Sequence, residues 1–329
     1  MDYISYWQQR TGETLTKILT WLSLSPSKYH HWKHRKNKEN QPNSLIPKAH
    51  WLLPWEIEAI ISYRLEHPAE GYRLLSFMML DDDIVAVSPS SVYRVLLKAG
   101  LLLTKWNHRQ TKGSGFHQPS EPHQHWHLDI CYINFKSTFV YLVALIDGFS
   151  RFIVHYELKM SVEALDIEIM MERAREKFPG TNPTLITDNG PQFIANEFNA
   201  YLQLVGITHR KTRFYYPQSN GKIERFYQTC KNESIRKNSF LSFNDLNRQL
   251  ASYIKHYNYN RLHSSIGYIA PWDMIQGNQE KIFAERKQKL KLATENRIKL
   301  RKKKTNINSL QSHQARIIES WSNSCHEKI

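Results

Sequence analysis

The hydrophobic pattern of the chain changes from helical to strand-like periodicity beyond residue 125, and this change restricts the fold more than any other feature. Polar and apolar residues alternate over 126–134 and over 150–158, and the intervening stretch 139–147 is an apolar run of strand-forming residues. A period of two indicates half-buried strands, and a short apolar run bounded by turns indicates a buried strand. The connecting segments have only two or three residues. These residues therefore predict three strands in an antiparallel meander.

The segment that follows alternates helices with strands. A helix is expected over about 161–177, because its first residues are acidic and its last residues basic, as the helix dipole favours. The next elements are a strand over 184–188, a helix over about 196–205, a strand near 207–211 and a helix that carries Glu224. The order βββαβαβα predicts an α/β fold in which helices flank a mixed sheet.

The first hundred residues read as two helical units. Each unit ends in a helix that follows a Ser-Pro-Ser sequence, at 25–27 and at 88–90, where serine can cap the helix and proline can take its first position. A helix, a short turn and a basic helix are typical of a helix-turn-helix, whose second helix can enter the major groove of DNA. A helical hairpin with a solvated basic face is the alternative. We expect one such domain at 1–45, a second at 46–103 and a linker at 104–124.

The overall charge of the chain indicates the class of its partner. A formal charge of +15 suits a polyanion, either nucleic acid or an anionic membrane surface. The longest purely apolar run, Phe139 to Ile146, is too short to span a bilayer. The cysteines are few and scattered, so they indicate neither a disulfide framework nor a zinc site. We expect a cytoplasmic protein with no membrane partner.

Three carboxylates are the strongest functional signal in this basic chain. Asp129 lies in the first predicted strand, Asp188 at the end of the fourth and Glu224 on a helix after a basic loop. If the first and fourth strands are neighbours, two of these acids can chelate one cation and the helix can bring the third to a second cation. Oxygen ligands without a committed Cys or His favour Mg²⁺ or Mn²⁺ over zinc. Two such ions, about 4 Å apart, promote displacement at a phosphodiester.

Each acid also has a simpler explanation. Single Asp and Glu residues are most often solvated surface groups or caps, and Asp188 before Asn-Gly-Pro suits a turn. The three positions are separated by 58 and 35 intervening residues. We favour the joint explanation, because all three acids fall on elements that can meet.

Five motifs lie between about residues 120 and 275. They are Trp126-x-x-Asp129, Ile146-Asp147-x-x-Ser150-Arg151, Thr187-Asp188-Asn189-Gly190-Pro191-Gln192-Phe193, Tyr216-Pro217-Gln218-Ser219-Asn220-Gly221-Lys222-Ile223-Glu224-Arg225 and Tyr257-Asn258-x-x-Arg261-x-His263. Together they resemble the DDE transposases of bacterial insertion sequences, which have a retroviral-integrase-type core. The resemblance implies a ribonuclease H-like core at 125–276, two Mg²⁺ ions that Mn²⁺ can replace, and Asp129, Asp188 and Glu224 as the catalytic and metal-binding triad. Asp147 is not a metal ligand in this resemblance, and its place at a strand end predicts hydrogen bonding in a turn.

The function that this resemblance implies is DNA transposition. Water, and then a DNA 3′-hydroxyl, would attack phosphorus, so that the ends of a mobile element are cleaved and joined to target DNA. The expected partners are element ends, target DNA and further copies of the chain, in the nucleoid. Two alternatives stay open: a catalytically idle DNA-binding regulator and a non-transposing nuclease of the same fold.

Basic, amide and aromatic side chains near these elements are candidate DNA contacts, although solvated surface charge or packing explains many of them equally well. On the N-terminal helices they are Lys28, Lys33, Arg35, Lys36, Arg94 and Lys98. Around Glu224 and in the last motif they are Arg210, Lys211, Arg213, Tyr215, Asn220, Lys222, Gln228, Lys231, Arg261 and His263.

The C-terminal segment holds most of the excess charge. Residues 281–304 contain eleven Lys or Arg against two Glu, and their apolar stripe is weak. We expect 277–329 to be a basic arm, helical or disordered, that binds DNA phosphates; a solvated tail is the alternative. The predicted chain is thus an α/β core between all-α helix-turn-helix modules and a basic tail.

Overall fold

The chain divides into two compact units, one formed by residues 1–51 with 301–329 and the other by Leu52–Leu300. A computed structural model describes residues 2–35, 48, 50–102, 118–136, 138–212 and 220–326, with side chains up to residue 303. Within these ranges, no helix combines the length and apolar character needed to cross a membrane.

The first unit contains three N-terminal helices. They are α1 (Asp2–Thr11), α2 (Leu15–Trp21) and α3 (Pro26–His34). Helix α3 begins where the Ser-Pro-Ser sequence predicts, and the Ser25 side chain accepts a hydrogen bond from the Lys28 amide at 3.3 Å. Helix α1 has no counterpart among the predicted elements. Ile4 of α1 nevertheless packs with Ile18 and Leu19 in a small core.

The second unit begins with three helices that have a core of their own. They are α4 (Pro54–Glu66), α5 (Tyr72–Asp81) and α6 (Pro89–Lys98). The Ser88 side chain caps α6 by accepting a hydrogen bond from the Ser91 amide at 3.4 Å. Gly100, just beyond the helix, has a φ of +69°, the left-handed conformation expected after a helix end. Helix α6 thus begins where the second Ser-Pro-Ser sequence predicts.

The central element is a mixed sheet of five strands in the order β3-β2-β1-β4-β5. The strands are β1 (His125–Phe135), β2 (Thr138–Asp147), β3 (Ile153–Lys159), β4 (Thr184–Thr187) and β5 (Thr208–Lys211). Strands β1 to β3 form the predicted antiparallel meander, whereas β4 pairs in parallel with β1 and with β5. The predicted mixed sheet is therefore confirmed, and the condition that the first and fourth strands be neighbours is met.

Helices cover both faces of this sheet. They are α7 (Ala164–Lys177), α8 (Pro191–Ile194), α9 (Asn196–Leu204), α10 (Gly221–Glu233), α11 (Phe243–Tyr259) and α12 (Pro271–Ile275). Successive side chains of β1 point to opposite faces of the sheet, so alternate residues pack into two different hydrophobic cores. Leu128 packs with residues of α7 and α9 on one face, and Cys131 packs with residues of α10 and α11 on the other.

Two element boundaries differ from the prediction for local reasons. Strand β3 begins at Ile153 and not at Ser150, because the Ser150 side chain and amide both bond the Asp147 carboxylate and hold a turn. Helix α7 begins at Ala164 and not at Ser161, because the Glu163 amide donates to the Asp166 carboxylate at 2.9 Å and closes the first turn there. Helix α8 is an additional element.

The segment predicted as a basic arm forms one long helix, α13 (Gln279–His326), which is the helical of its two expected forms. Its binding to DNA phosphates stays a prediction. Arg286 forms an ion pair with Asp81 at 2.6 Å, Lys289 with Asp83 at 2.6 Å, and Arg297 with a carboxylate of α4 at 2.9 Å. Three of the eleven basic side chains assigned to DNA phosphates therefore make contacts within the second unit.

Candidate active site

Asp129 lies in the middle of β1, where it pairs with Ala144 of β2. Its half-buried carboxylate accepts a hydrogen bond from the Ile130 amide at 2.8 Å. Residues 129 and 131 share one face of the strand, and Cys131 belongs to the core that α10 covers. The first acid thus lies on the side of the sheet where the helix of the third acid packs.

Asp188 directly follows β4. The parallel register of β1 and β4 pairs His127 with Ile186. Asp129 and Asp188 each lie two residues after this pair, so the register aligns them as well. The Asp188 carboxylate accepts a hydrogen bond from the Gly190 amide at 2.9 Å. The turn is also anchored to β5, because the Asn189 side chain donates to the carbonyl of Thr212 at 3.0 Å. The end of β4 therefore presents the second acid beside the first.

Glu224 lies exposed in the first turn of α10. The buried side of that helix consists of Ile223, Phe226, Tyr227 and Cys230. The hydroxyl of Tyr227 donates a hydrogen bond to the main-chain carbonyl of Asp129. The helix that carries the third acid is thus attached to the residue that carries the first.

The pKa of Asp129 depends on its burial and on the charges of the other two acids. Burial raises the pKa of Asp129 to about 7, and the negative charges of Asp188 and Glu224 contribute to the same increase. Among the residues that the structure describes, no three His, Cys, Asp or Glu side chains form a ready-made cation cluster. The three acids therefore interact electrostatically without forming such a cluster. Their donor set consists of carboxylate oxygens alone, which fits Mg²⁺ or Mn²⁺.

Asp147 is a structural residue of the turn between β2 and β3, as its position predicted. Its carboxylate accepts hydrogen bonds from the amides of His123 at 2.8 Å and Ser150 at 2.7 Å, and from the Ser150 hydroxyl at 2.7 Å. These bonds satisfy a fully buried carboxylate. The fourth acid of the core is therefore committed to holding the turn.

Lys222 of α10 contacts this turn. Its amino group donates to the carbonyl of Gly148 at 2.8 Å, and Arg151 donates to the same carbonyl at 3.0 Å. Burial and, to a smaller extent, the positive charge of Arg151 lower the pKa of Lys222 to about 7. Lys222, predicted as a DNA contact, is thus placed against the protein two residues before Glu224.

Two other predicted DNA contacts serve internal interactions. Arg261 makes a bidentate ion pair with Glu233 of α10, with distances of 2.7 and 2.8 Å. His263 lies 3.1 Å from the Arg261 guanidinium, and burial together with that positive charge lowers the pKa of His263 to about 3. Arg261 thus links the end of α11 to α10, and His263 contacts Arg261, so both side chains are engaged within the protein and not free for DNA phosphates.

The remaining predicted contacts differ in exposure. Asn220 is buried at the start of α10, and Lys231 is half-buried near Cys131. Burial raises the pKa of the Cys131 thiol, and the hydrogen bond and charge of Lys231 partly oppose that increase. Exposed are Lys28, Lys33, Arg35, Arg94, Lys98, Arg210, Lys211 and Gln228. Lys36, Arg213 and Tyr215 lie outside the described residues.

Two residues of the site carry no distinctive sequence signal. Tyr227 reads as one more apolar position of an amphipathic helix. His209 of β5 lies 2.8 Å from the Thr187 hydroxyl and 3.2 Å from the Asn199 side chain, next to the second acid. Their roles depend on partners far away in sequence, which periodicity does not reveal.

Known proteins match the region that contains this site. One integrase core domain model matches residues 119–217 and a second matches residues 205–271. The transposase for insertion sequence element IS904 of Lactococcus lactis is 28% identical over 185 residues, which cover 53% of this chain and 73% of the relative. An uncharacterized 39.2 kDa protein of insertion element IS476 from Xanthomonas euvesicatoria is 26% identical over 231 residues, which cover 68% of this chain and 66% of the relative.

A solved structure is also similar. The catalytic core domain of the HTLV-2 integrase, in complex with magnesium, matches with a TM-score of 0.39 and 19% identity over 47% of this chain and 98% of the other. The matched integrase core region contains all three acids, and the relatives in sequence come from insertion elements. Residues 119–271 of the chain therefore carry an integrase core domain, which is similar to that of insertion-sequence transposases.

Proposed function

We propose that this transposase cleaves the ends of a mobile DNA element and joins them to target DNA at one site formed by Asp129, Asp188 and Glu224. Its family makes it a polynucleotidyl transferase. The assignment is supported by the parallel register that aligns Asp129 with Asp188, by the hydrogen bond from α10 to the Asp129 carbonyl, and by the effect of the Asp188 and Glu224 charges on Asp129.

The proposed chemistry consists of two displacements at phosphorus. In the first, the oxygen of water bonds to the phosphorus at the element end while the bond to the 3′-oxygen of the element strand breaks, and that oxygen leaves as a hydroxyl. In the second, this 3′-hydroxyl oxygen bonds to a target phosphorus while the target's own 3′-oxygen leaves and takes up the released proton. Neither displacement needs an oxidant or a covalent bond between protein and DNA.

The acid residues would hold two Mg²⁺ ions, or Mn²⁺ in their place. Bound cations would activate the attacking oxygen and stabilise the leaving oxygen. Asp129 is suited to this role because burial and the charges of Asp188 and Glu224 disfavour its ionised form. A bound cation would offset the repulsion between these carboxylates. The Gly190 amide orients Asp188, and the buried side of α10 leaves Glu224 facing outward.

DNA would be held by side chains around the acids. Arg210 and Lys211 are exposed on β5, which pairs with β4 next to Asp188. Gln228 is exposed one turn after Glu224 on the same face of α10. These side chains can contact backbone phosphates, and the exposed cations of α3 and α6 are further candidates for such contacts. We also propose that several copies of the chain act together on DNA in the nucleoid.

The test is incubation of the purified chain with labelled candidate element ends, an unlabelled target duplex and Mg²⁺. The proposal predicts nicked ends followed by products in which the labelled strand is joined to target DNA. Cleavage without joined products would favour a nuclease of the same fold. Binding of the ends without cleavage in either Mg²⁺ or Mn²⁺ would favour the DNA-binding regulator.

A further inference from the structure

Tyr227 connects two of the acid-bearing elements directly. Its side chain is only 6% exposed, and its hydroxyl contacts the carbonyl of Asp129 on β1 and, at 3.3 Å, the carbonyl of Leu142 on β2. A tyrosine ring in this core needs a partner for its hydroxyl. The partner of the Tyr227 hydroxyl is the main-chain carbonyl of Asp129 on β1.

The position of Tyr227 on α10 relates it to the third acid. Glu224 and Tyr227 are three residues apart, so their side chains project from neighbouring positions of the helix surface one turn apart. Ile223 and Phe226 are nearly fully buried and hold the helix on the sheet through apolar contacts. Apolar contacts alone tolerate small sliding motions. The directional hydrogen bond from Tyr227 fixes the helix along β1.

We propose that Tyr227 is a positioning residue that sets the distance between Glu224 and Asp129 and thereby the affinity of the site for divalent cations. This inference rests on the proposed function, since it assumes that the two carboxylates bind cations. Loss of the hydroxyl leaves the ring in the core and the acids intact, but releases α10 from the carbonyl of Asp129. Cation binding weakens because the carboxylate of Glu224 is no longer held at a fixed distance.

A purely structural role for the hydroxyl makes a different prediction. If the hydrogen bond only stabilises the fold, its removal lowers the melting temperature without cation but leaves the cation concentration at half-saturation unchanged. The two roles are therefore separated by a Mg²⁺ titration of the melting temperature, with full-length protein and no DNA.

The principal variant is Tyr227→Phe, and the matched control is Tyr63→Phe. Tyr63 is similarly buried, at 8% exposure, and its hydroxyl donates to the Asp82 carboxylate at 2.8 Å in the core of α4 to α6. We expect the wild type and Tyr63→Phe to share one half-saturating Mg²⁺ concentration. Tyr227→Phe should require about 10-fold more Mg²⁺, the lower end of the effect of losing a group that orients a metal ligand. An unchanged half-saturating concentration would overturn the inference.

A double-mutant cycle tests whether Tyr227 acts through Glu224. In a Glu224→Gln background, adding Tyr227→Phe should cause no further change in the Mg²⁺ requirement, and a further 10-fold increase would contradict the inference. Tyr227→4-aminophenylalanine restores a donor on the same ring and should return the requirement toward the wild-type value; failure to do so would contradict it as well. If the wild type itself shows no response to Mg²⁺ or Mn²⁺, the proposed function has failed and not merely the role of Tyr227.

Discussion

The guanidinium of Arg297 lies 2.9 Å from the carboxylate of Glu56, and the two side chains are only 7% and 4% exposed. This ion pair attaches α13 to α4. Removing one partner of a buried pair leaves the other charge buried without compensation, which costs about 3–5 kcal/mol. We therefore expect Arg297→Met to lower the free energy of unfolding by that amount in urea denaturation.

Arg248→Met provides the control for this prediction. Arg248 pairs with Asp245 at 2.8 Å, but its side chain is 80% exposed. Exposed pairs contribute little, so this variant should stay within about 1 kcal/mol of the wild type. Equal effects of the two substitutions would show that the pair between α13 and α4 is not a structural contact in solution.

Glu224→Gln is expected to abolish both cleavage and strand joining. The substitution keeps the size of the side chain but removes a negative charge from an exposed position of α10, so the fold and the affinity for DNA should be retained. Gel-shift and cleavage assays on the same element-end DNA measure the two properties. Glu176→Gln removes an exposed carboxylate of α7 and is the control. Cleavage by Glu224→Gln at a wild-type rate would remove Glu224 from the triad.

The sequence was sufficient to predict features that depend on local interactions. The Ser-Pro-Ser sequences begin α3 and α6 because serine caps and proline both act within one helical turn. The meander followed from the alternation of β1 and β3 around an apolar β2. Placement of Asp129 beside Asp188 then required only that β1 and β4 be neighbours.

Contacts between residues distant in sequence could not be predicted in this way. Glu56 and Arg297 are separated by 241 positions, and Tyr227 and the Asp129 carbonyl by 98. A charge run such as that of α13 has the same composition whether its arginines are solvated or buried in ion pairs. The start of β3 was misplaced for a related reason, since the Asp147 side chain competes with strand pairing for the amide of Ser150.

His209 predicts an acid-dependent loss of stability. Burial and, to a smaller extent, the positive charge of Lys211 lower the pKa of His209 to about 4, whereas an unfolded histidine has a pKa of about 6.5. Between these values the unfolded chain binds a proton that the folded chain does not, so this residue destabilises the fold as pH decreases from 6.5 to 4. His209→Asn should therefore lose less stability than the wild type over that window in thermal melts.

The control for this prediction is His256→Asn, because His256 is exposed on α11. Its melting temperature should follow the wild-type curve across the same pH range. If the curves for His209→Asn and the wild type are parallel between pH 6.5 and 4, then His209 does not stay neutral between Thr187 and Asn199.

We expect the exposed lysines of α13 to contact DNA phosphates, and this contact should make DNA binding depend on salt concentration. Arg286 and Arg297 are buried, whereas Lys281, Lys287, Lys291 and Lys299 are exposed. Deleting the segment would remove the internal ion pairs too, so Lys→Gln substitutions at these four positions are the sharper test. Each lysine that contacts a phosphate should reduce the slope of log K against log salt by about 0.9 in filter-binding titrations with duplex DNA.

Lys255→Gln, at an exposed position of α11, should leave the slope unchanged. A wild-type slope in the fourfold variant would mean that this face of α13 is solvated and does not contact DNA.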